Sequence, residues 1–195
     1  MTNDKQAVYR LLPVMGDFRT LFLGSSLVPL IRWQIKGSPL DERPPELHAE
    51  LQGNPKLRPT EFPSGYPGAP ILSRRVADLV RDEFAPAGTF VPVHVDGAAP
   101  GAYVLFLVES IVDCLDTRRS SKPKKTTGEV KKAVFRPEAL PTHLPAFRLP
   151  EYPGGVYWTQ WATTRLHTLI GPDLEIRLVW SEDPTATPHP NPWGF

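Results

Sequence analysis

The 195-residue sequence predicts an α+β fold, a mixed and mostly antiparallel sheet of short strands with two main helices and a proline-rich N-terminal connection. Three observations carry that expectation. Proline accounts for 24 residues, more than twice its usual share of about 5%; it fixes φ and removes a backbone donor, which keeps helices short and broad central strands few. Apolar runs are brief and punctuated by Gly and Pro, and two segments carry a helical period. Strands and helices also alternate irregularly, unlike the repeating units of a parallel sheet. The length fits one domain.

Residues 7–12, 18–23 and 28–35 are apolar-rich runs set off by Pro13, Gly16, Gly24 and Pro29, and read as strands. Residues 38–70 hold eight prolines, at 39, 44, 45, 55, 59, 63, 67 and 70, so no regular structure of any length is expected there. Such a stretch is a stiff linker or an arm laid over the surface, and Phe62 and Tyr66 suggest that its end packs down. The clearest helix follows: Ser73 is the expected N-cap, and Val76, Leu79, Val80 and Phe84 share one face. Pro86 and Gly88 stop it.

Residues 90–95 alternate and read as a strand. Residues 102–108 (AYVLFLV) are wholly apolar, the pattern of a central strand covered on both faces. Residues 111–115 are expected to continue it after a bend. Short strands are expected at 130–135, 147–149 and 156–158. Thr159 is the expected cap of a second helix over 160–170, stopped by Gly171 and Pro172. Residues 174–180 alternate as a half-buried strand. The tail from Pro184 onward carries four prolines and is expected to be extended, and Trp193 and Phe195 are unusually large rings for such a place.

Composition excludes several functional classes. The net charge is +1, so the chain is no global attractor for nucleic acid or membrane. The one cysteine, Cys114, rules out an intrachain disulfide and a cysteine-based zinc cluster. It lies in an apolar run and reads as a small buried hydrophobe rather than a nucleophile. The five histidines lack metal-ligand spacing, so no metal and no cofactor is expected. His94 and Asp96 share a strand face, but a pair is not a metal site. The uncharged run over 20–31 is too short to span a bilayer, and a cytoplasmic protein is the expectation.

Charge is nevertheless segmented. Residues 117–132 carry seven basic side chains against one acid, while 71–116 sum to −4. Arg118, Arg119, Lys122, Lys124 and Lys125 are the candidate partner-binding residues, with Lys131 and Lys132 behind them. One reading is a solvated loop that serves solubility. The other is an electrostatic handle for an acidic protein surface or for phosphates. No aromatic lies between Arg118 and Lys132, so the stacking platform for single-stranded nucleic acid is missing and a protein is the better partner.

Glu109, Asp113 and Asp116 precede the loop. Asp116 with Glu129 and Lys131 has the outline of a metal-dependent nuclease, two carboxylates for Mg²⁺ and a lysine to position water. About one acid-x-Lys triplet is expected by chance in such a composition. The structural reading of Asp113 or Asp116 is an Asx turn that caps the loop. No GxSxG elbow, GxGxxG or Walker loop is present. A nucleic-acid-binding module using the basic loop remains a third reading.

Four segments, taken in order, resemble a known family. They are Gly68-Ala69-Pro70-Ile71-Leu72-Ser73-Arg74-Arg75-Val76-Ala77-Asp78; Phe90-Val91-Pro92-Val93 with Gly97 and Tyr103-Val104-Leu105; Val112-Asp113-Cys114-Leu115-Asp116 with Ser120 or Ser121; and Phe147-Arg148-Leu149 with the late helix and 171–180. This order is similar to immunity protein eleven, a family of bacterial polymorphic-toxin immunity proteins earlier known as a domain of unknown function. Phe106 departs from it, standing where a polar residue is expected. The resemblance covers 68–182 and implies an immunity-like core there, while the first 67 residues match little of the family. Within the single domain over 1–195, the residues themselves give N-terminal strands over 1–37, the proline-rich connection or arm over 38–67 and the extended tail over 183–195. The resemblance implies a non-catalytic protein that binds and neutralises a cognate toxin, encoded by a neighbouring gene, and it transfers no site residue.

Overall fold

The computed structural model describes residues 5–14, 16–37, 39, 42–43, 46–125 and 127–194. Among the described residues, ten strands form two sheets. In the smaller, β1 (Ala7–Pro13) lies between β10 (Leu174–Ser181) and β9 (Tyr157–Thr159), with β8 (Ala146–Phe147) beyond, all antiparallel. The larger runs in the order β4 (Pro59–Ser64), β2 (Arg19–Phe22), β3 (Leu47–Gln52), β6 (Gly88–Asp96), β7 (Tyr103–Val108), β5 (Ile71–Ser73). Its β2–β4 and β3–β6 pairs are parallel and the others antiparallel. The expected mixed α+β class is what the chain adopts.

β7 explains how the layers stack. Successive side chains of a strand point to opposite faces, and every residue of β7 is buried. Val104, Phe106 and Val108 enter a core between the sheets, shared with α2 (Arg74–Phe84) and α3 (Gln160–Ile170). Trp158 sits in this core, 6.0 Å from the Phe84 ring and 6.1 Å from Phe106. Tyr103, Leu105 and Leu107 enter a second core on the other face, covered by α1 (Leu27–Ile35). A third cluster gathers Cys114, Val130, Phe135, Tyr157 and Trp193.

α1 corrects the expected strand at 28–35. Pro29 falls in the first helical turn, where its missing N–H has no intrahelical acceptor to lose. Burying Leu30 and Trp33, three residues apart, selects the helix over the strand that the β-branched residues favour. Gln34 fixes the end of the helix, donating from Nε2 to the Gly68 carbonyl at 2.6 Å.

The proline-rich stretch is likewise more regular than expected, since it contains β3 and β4. Pro59 and Pro63 are tolerated because β4 is an edge strand of the large sheet. β3 buries Leu47 and Ala49 and exposes His48 and Glu50, an alternation that the surrounding prolines obscure. Pro44 and Pro45 lie outside the described residues. Residues 111–115 and 130–135 do not form the expected strands. They contribute single bridges, Ile111 to Arg148 and Leu115 to Phe135.

α2 follows its expectation except at Leu79, which the sequence pattern places on the same face as Val76, Val80 and Phe84. The Ser73 hydroxyl accepts from the Val76 N–H at 3.3 Å, and Val76, Ala77, Val80 and Phe84 are buried, while Leu79 is exposed. α3 begins after Thr159, but that hydroxyl does not cap it: it lies 2.9 Å from the Leu144 carbonyl and 3.1 Å from that of Pro145, tying the start of the helix to the segment that leads into β8. Gly171, with φ of +75°, ends α3 as expected. The tail folds back, and Trp193 packs 5.1 Å from Tyr152 and 5.0 Å from Tyr157. Arg10 lies over the same indole and donates to the Gly65 carbonyl, and burial lowers its pKa to about 9. Phe195 is outside the described residues. Among the described residues no helix is long and apolar enough to cross a membrane.

Candidate interaction surface

The basic segment is a laced ribbon. Arg136 N–H donates to the Cys114 carbonyl at 2.9 Å, Asp116 N–H to Val134 at 2.8 Å, Ser121 N–H to Lys132 at 2.9 Å and Lys124 N–H to Glu129 at 2.9 Å. Ser120 Oγ accepts from Val134 N–H, and Ser121 Oγ accepts from Lys132 N–H, both at 2.9 Å. Leu115, Val130, Ala133 and Phe135 root the ribbon in the third core. Gly128 closes its tip with φ of +76°, and a Cβ there would lie 3.3 Å from the Tyr152 ring. The sequence shows the loop but not these cross-links, which pair residues up to 22 positions apart.

Arg118, Arg119, Lys122, Lys124 and Lys125 are all exposed on this ribbon. Lys124 is engaged, its Nζ 2.9 Å from both carboxylate oxygens of Glu129. Arg118, Arg119, Lys122 and Lys125 make no ion pair among the described residues. Four cations are thus presented to solvent on backbone held at several points.

The carboxylates of the nuclease outline have other partners. Asp116 accepts from the backbone N–H of Arg118 at 3.0 Å and of Arg119 at 3.1 Å, the Asx turn that caps the loop. Glu129 pairs with Lys124, and Lys131 is exposed. The acidic trio does not converge either. Glu109 pairs with Arg43 and accepts from Thr89, and Asp113 pairs with Arg136 at 2.8 Å. Cys114 is buried, and burial pushes its thiol up to about 12, so it stays protonated near neutrality. The His94 ring lies beside that of His48, centroids 5.2 Å apart and planes tilted by 60°, and is 3.5 Å from Asp96. No three His, Cys, Asp or Glu side chains among the described residues could hold a metal ion.

Sequence reasoning missed the neighbouring feature. A cleft of about 610 Å³ separates α1 from the ribbon tip. Leu27, Ile31 and Ile35 line one wall, Lys125 and Glu129 the other, with Tyr66, Tyr152 and Trp193 among the lining residues between. Ile31 and Ile35 are 39% and 66% exposed, large values for isoleucine on a short helix. Their spacing at i and i+4 is visible in the sequence once residues 27–35 are read as a helix. No family model matches the sequence, and no curated protein matches it.

Proposed function

We propose that this chain is a non-catalytic immunity protein that binds and neutralises a cognate bacterial toxin, with the 118–132 ribbon as one contact region. The observation that carries the reading is the ribbon: a cross-linked scaffold that holds Arg118, Arg119, Lys122 and Lys125 exposed and outside any described ion pair. A loop needed for solubility alone has no use for such bracing. A neutraliser has, because complementary charge speeds encounter and a preformed contact surface loses little entropy on docking. The segment order that resembles immunity protein eleven points the same way. In the nuclease outline, Asp116 is committed to its turn and Glu129 to Lys124, so no observation favours that alternative.

The deciding experiment is co-expression with the product of the neighbouring gene. A stoichiometric complex that suppresses the neighbour's toxicity is the expected result. Replacing Arg118, Arg119, Lys122 and Lys125 with Ser then slows association by about 10-fold or more at low salt and flattens its salt dependence. An association rate indifferent to the four substitutions removes the ribbon from the interface. Failure of both complex and rescue removes the immunity reading.

A further inference from the structure

The outer face of α1 is apolar where a surface helix is ordinarily polar. Leu27, Ile31 and Ile35 recur every four residues and form one stripe along the cleft, which the buried Leu30 and Gln34 also line, while Trp33 faces the core. Val28, 51% exposed, lies on the adjoining row with Arg32. A nine-residue helix is about 13 Å long, room for two to three turns of an opposing helix. The cleft beside the stripe is deep enough to take side chains.

Charge around the cleft is one-sided. α1 contains no acid, and Arg32 makes no ion pair among the described residues. Lys125 stands on the opposite wall with none either. Glu129 is the one acid among the lining residues, and its side chain is 15% exposed and bound to Lys124. An occupant laid along the stripe therefore meets an apolar floor with one cation outside any described ion pair, Lys125, on the cleft wall and another, Arg32, on the adjoining row of α1 just outside the cleft.

We propose that this cleft docks a short amphipathic helix of the toxin, apolar on the face that meets Leu27, Ile31 and Ile35 and acidic along its flanks. The proposal rests on the immunity reading for the identity of the partner. Helix-in-groove recognition uses this arrangement, apolar anchors at i, i+3 or i+4 and i+7 with charges setting orientation. A second copy of the chain fits less well. A two-fold interface sets the same patch against itself, so Arg32 and Lys125 would meet like charges across it.

The test uses the full chain, the double variant Ile31→Glu/Ile35→Glu and the single variant Lys125→Glu, each first checked by thermal unfolding for a native-like transition. Two probes are titrated: the neighbour-encoded toxin, and a synthetic amphipathic helix of about 14 residues with leucine anchors and glutamate flanks. A control peptide carries lysine on the same flanks. The acidic peptide is expected to bind and to protect the amide hydrogens of α1, with the lysine peptide and the double variant each at least about 10-fold weaker. Lys125→Glu is expected to narrow the preference for the acidic peptide. The toxin complex is expected to weaken in the double variant by a similar factor.

A toxin complex that tolerates Ile31→Glu/Ile35→Glu overturns the docking site while the immunity reading stands. A missing toxin complex beside selective capture of the acidic peptide overturns the immunity reading and upholds the surface. Equal binding of both peptides, or of neither, overturns the proposed chemistry. A wild-type dimer that the double variant dissociates assigns the stripe to a second copy instead.

Discussion

α2 and α1 pack on opposite faces of the same strand, β7, yet they meet solvent in opposite ways. α2 covers Val104, Phe106 and Val108 with Val76, Val80 and Phe84, and turns outward a network in which Asp78 pairs with Arg81 and Arg74, and Arg75 pairs with Glu61. Arg165 of α3 closes on Glu83 through a fork of hydrogen bonds of 2.9 to 3.1 Å. α1 covers Leu105 and Leu107 equally well with Leu30 and Trp33, but shows Val28, Ile31 and Ile35 to water. Both inner faces answer the demand of the sheet. The outer faces differ because folding places no demand on them, and an apolar outer row that stability does not need points to a partner.

The strongest way to break this comparison is through the inner face of α2. Phe84 is fully buried and touches the Phe106, Trp158 and Trp161 rings at 5.4 to 6.0 Å. Phe84→Ala is expected to cost about 3–5 kcal/mol in denaturant unfolding. A loss below about 1 kcal/mol would mean that α2 is no more essential to the core than the outer face of α1.

Alkaline titration probes the packing around the tyrosines, of which Tyr66 and Tyr152 line the cleft. Burial pushes Tyr152 up to about 12, holds Tyr157 well above the ordinary phenol value, and raises Tyr9, Tyr66 and Tyr103 as well. An unfolded phenol ionises near pH 10. From there upward the unfolded state has shed protons that the folded state keeps, so stability falls as pH rises. Arg10 and Arg148, lowered by burial to about 9 and about 10, act in the opposite sense. The five raised phenols are expected to set the sign of the change, and the two guanidinium groups to reduce its slope. Stability is expected to fall above pH 10 by roughly 1.4 kcal/mol per pH unit for each net proton, with tyrosinate absorbance rising together with the loss of circular dichroism. Tyrosinate appearing gradually in a still-folded protein would show that these rings are loosely packed.

The ribbon tip is expected to be less sensitive. Gly128→Ala places a Cβ in a left-handed conformation against Tyr152, which costs about 1–2 kcal/mol. The expected consequence is faster hydrogen exchange at Lys124 and Gly128, whose amides lace the tip. Unchanged exchange would show that the hydrogen bonds hold the tip without the turn.

The smallest effect sharpens the comparison most. Ile35→Ser is expected to leave the unfolding free energy within about 0.5 kcal/mol of wild type, because the side chain is two-thirds exposed. A loss near that of Phe84→Ala would place Ile35 in the core and remove the reason to assign it a partner.

Much of the fold was legible in short-range pattern. The double-sided burial of β7, the Ser73 cap, the face of α2 and the Gly171 stop each depend on residues within one or two turns of each other. The errors share a cause. Residues 28–35 are rich in β-branched side chains and became helix because Leu30 and Trp33 are needed three residues apart over β7. β4 formed despite Pro59 and Pro63 because it lies at an edge, and edge position is a property of the assembled sheet. Thr159 left its helix uncapped because carbonyls of Leu144 and Pro145 come within reach after folding.

The candidate surface divides in the same way. The basic cluster at 118–125 is plain in the sequence, since charge density needs no geometry to be counted. The Asx turn at Asp116 is local, and was legible as an alternative. The cleft was not, because it joins α1, Tyr66, the ribbon tip, Tyr152 and Trp193, segments spread over most of the chain. Composition, charge segmentation and helix punctuation were determined by the sequence alone, because they act through neighbours a few bonds apart. The conformation of 28–35, the edge position of the prolines, the bracing of the ribbon and the cleft were decided by tertiary structure. Each depends on contacts between residues far apart in the chain, whose combined free energy exceeds the local preference opposing it.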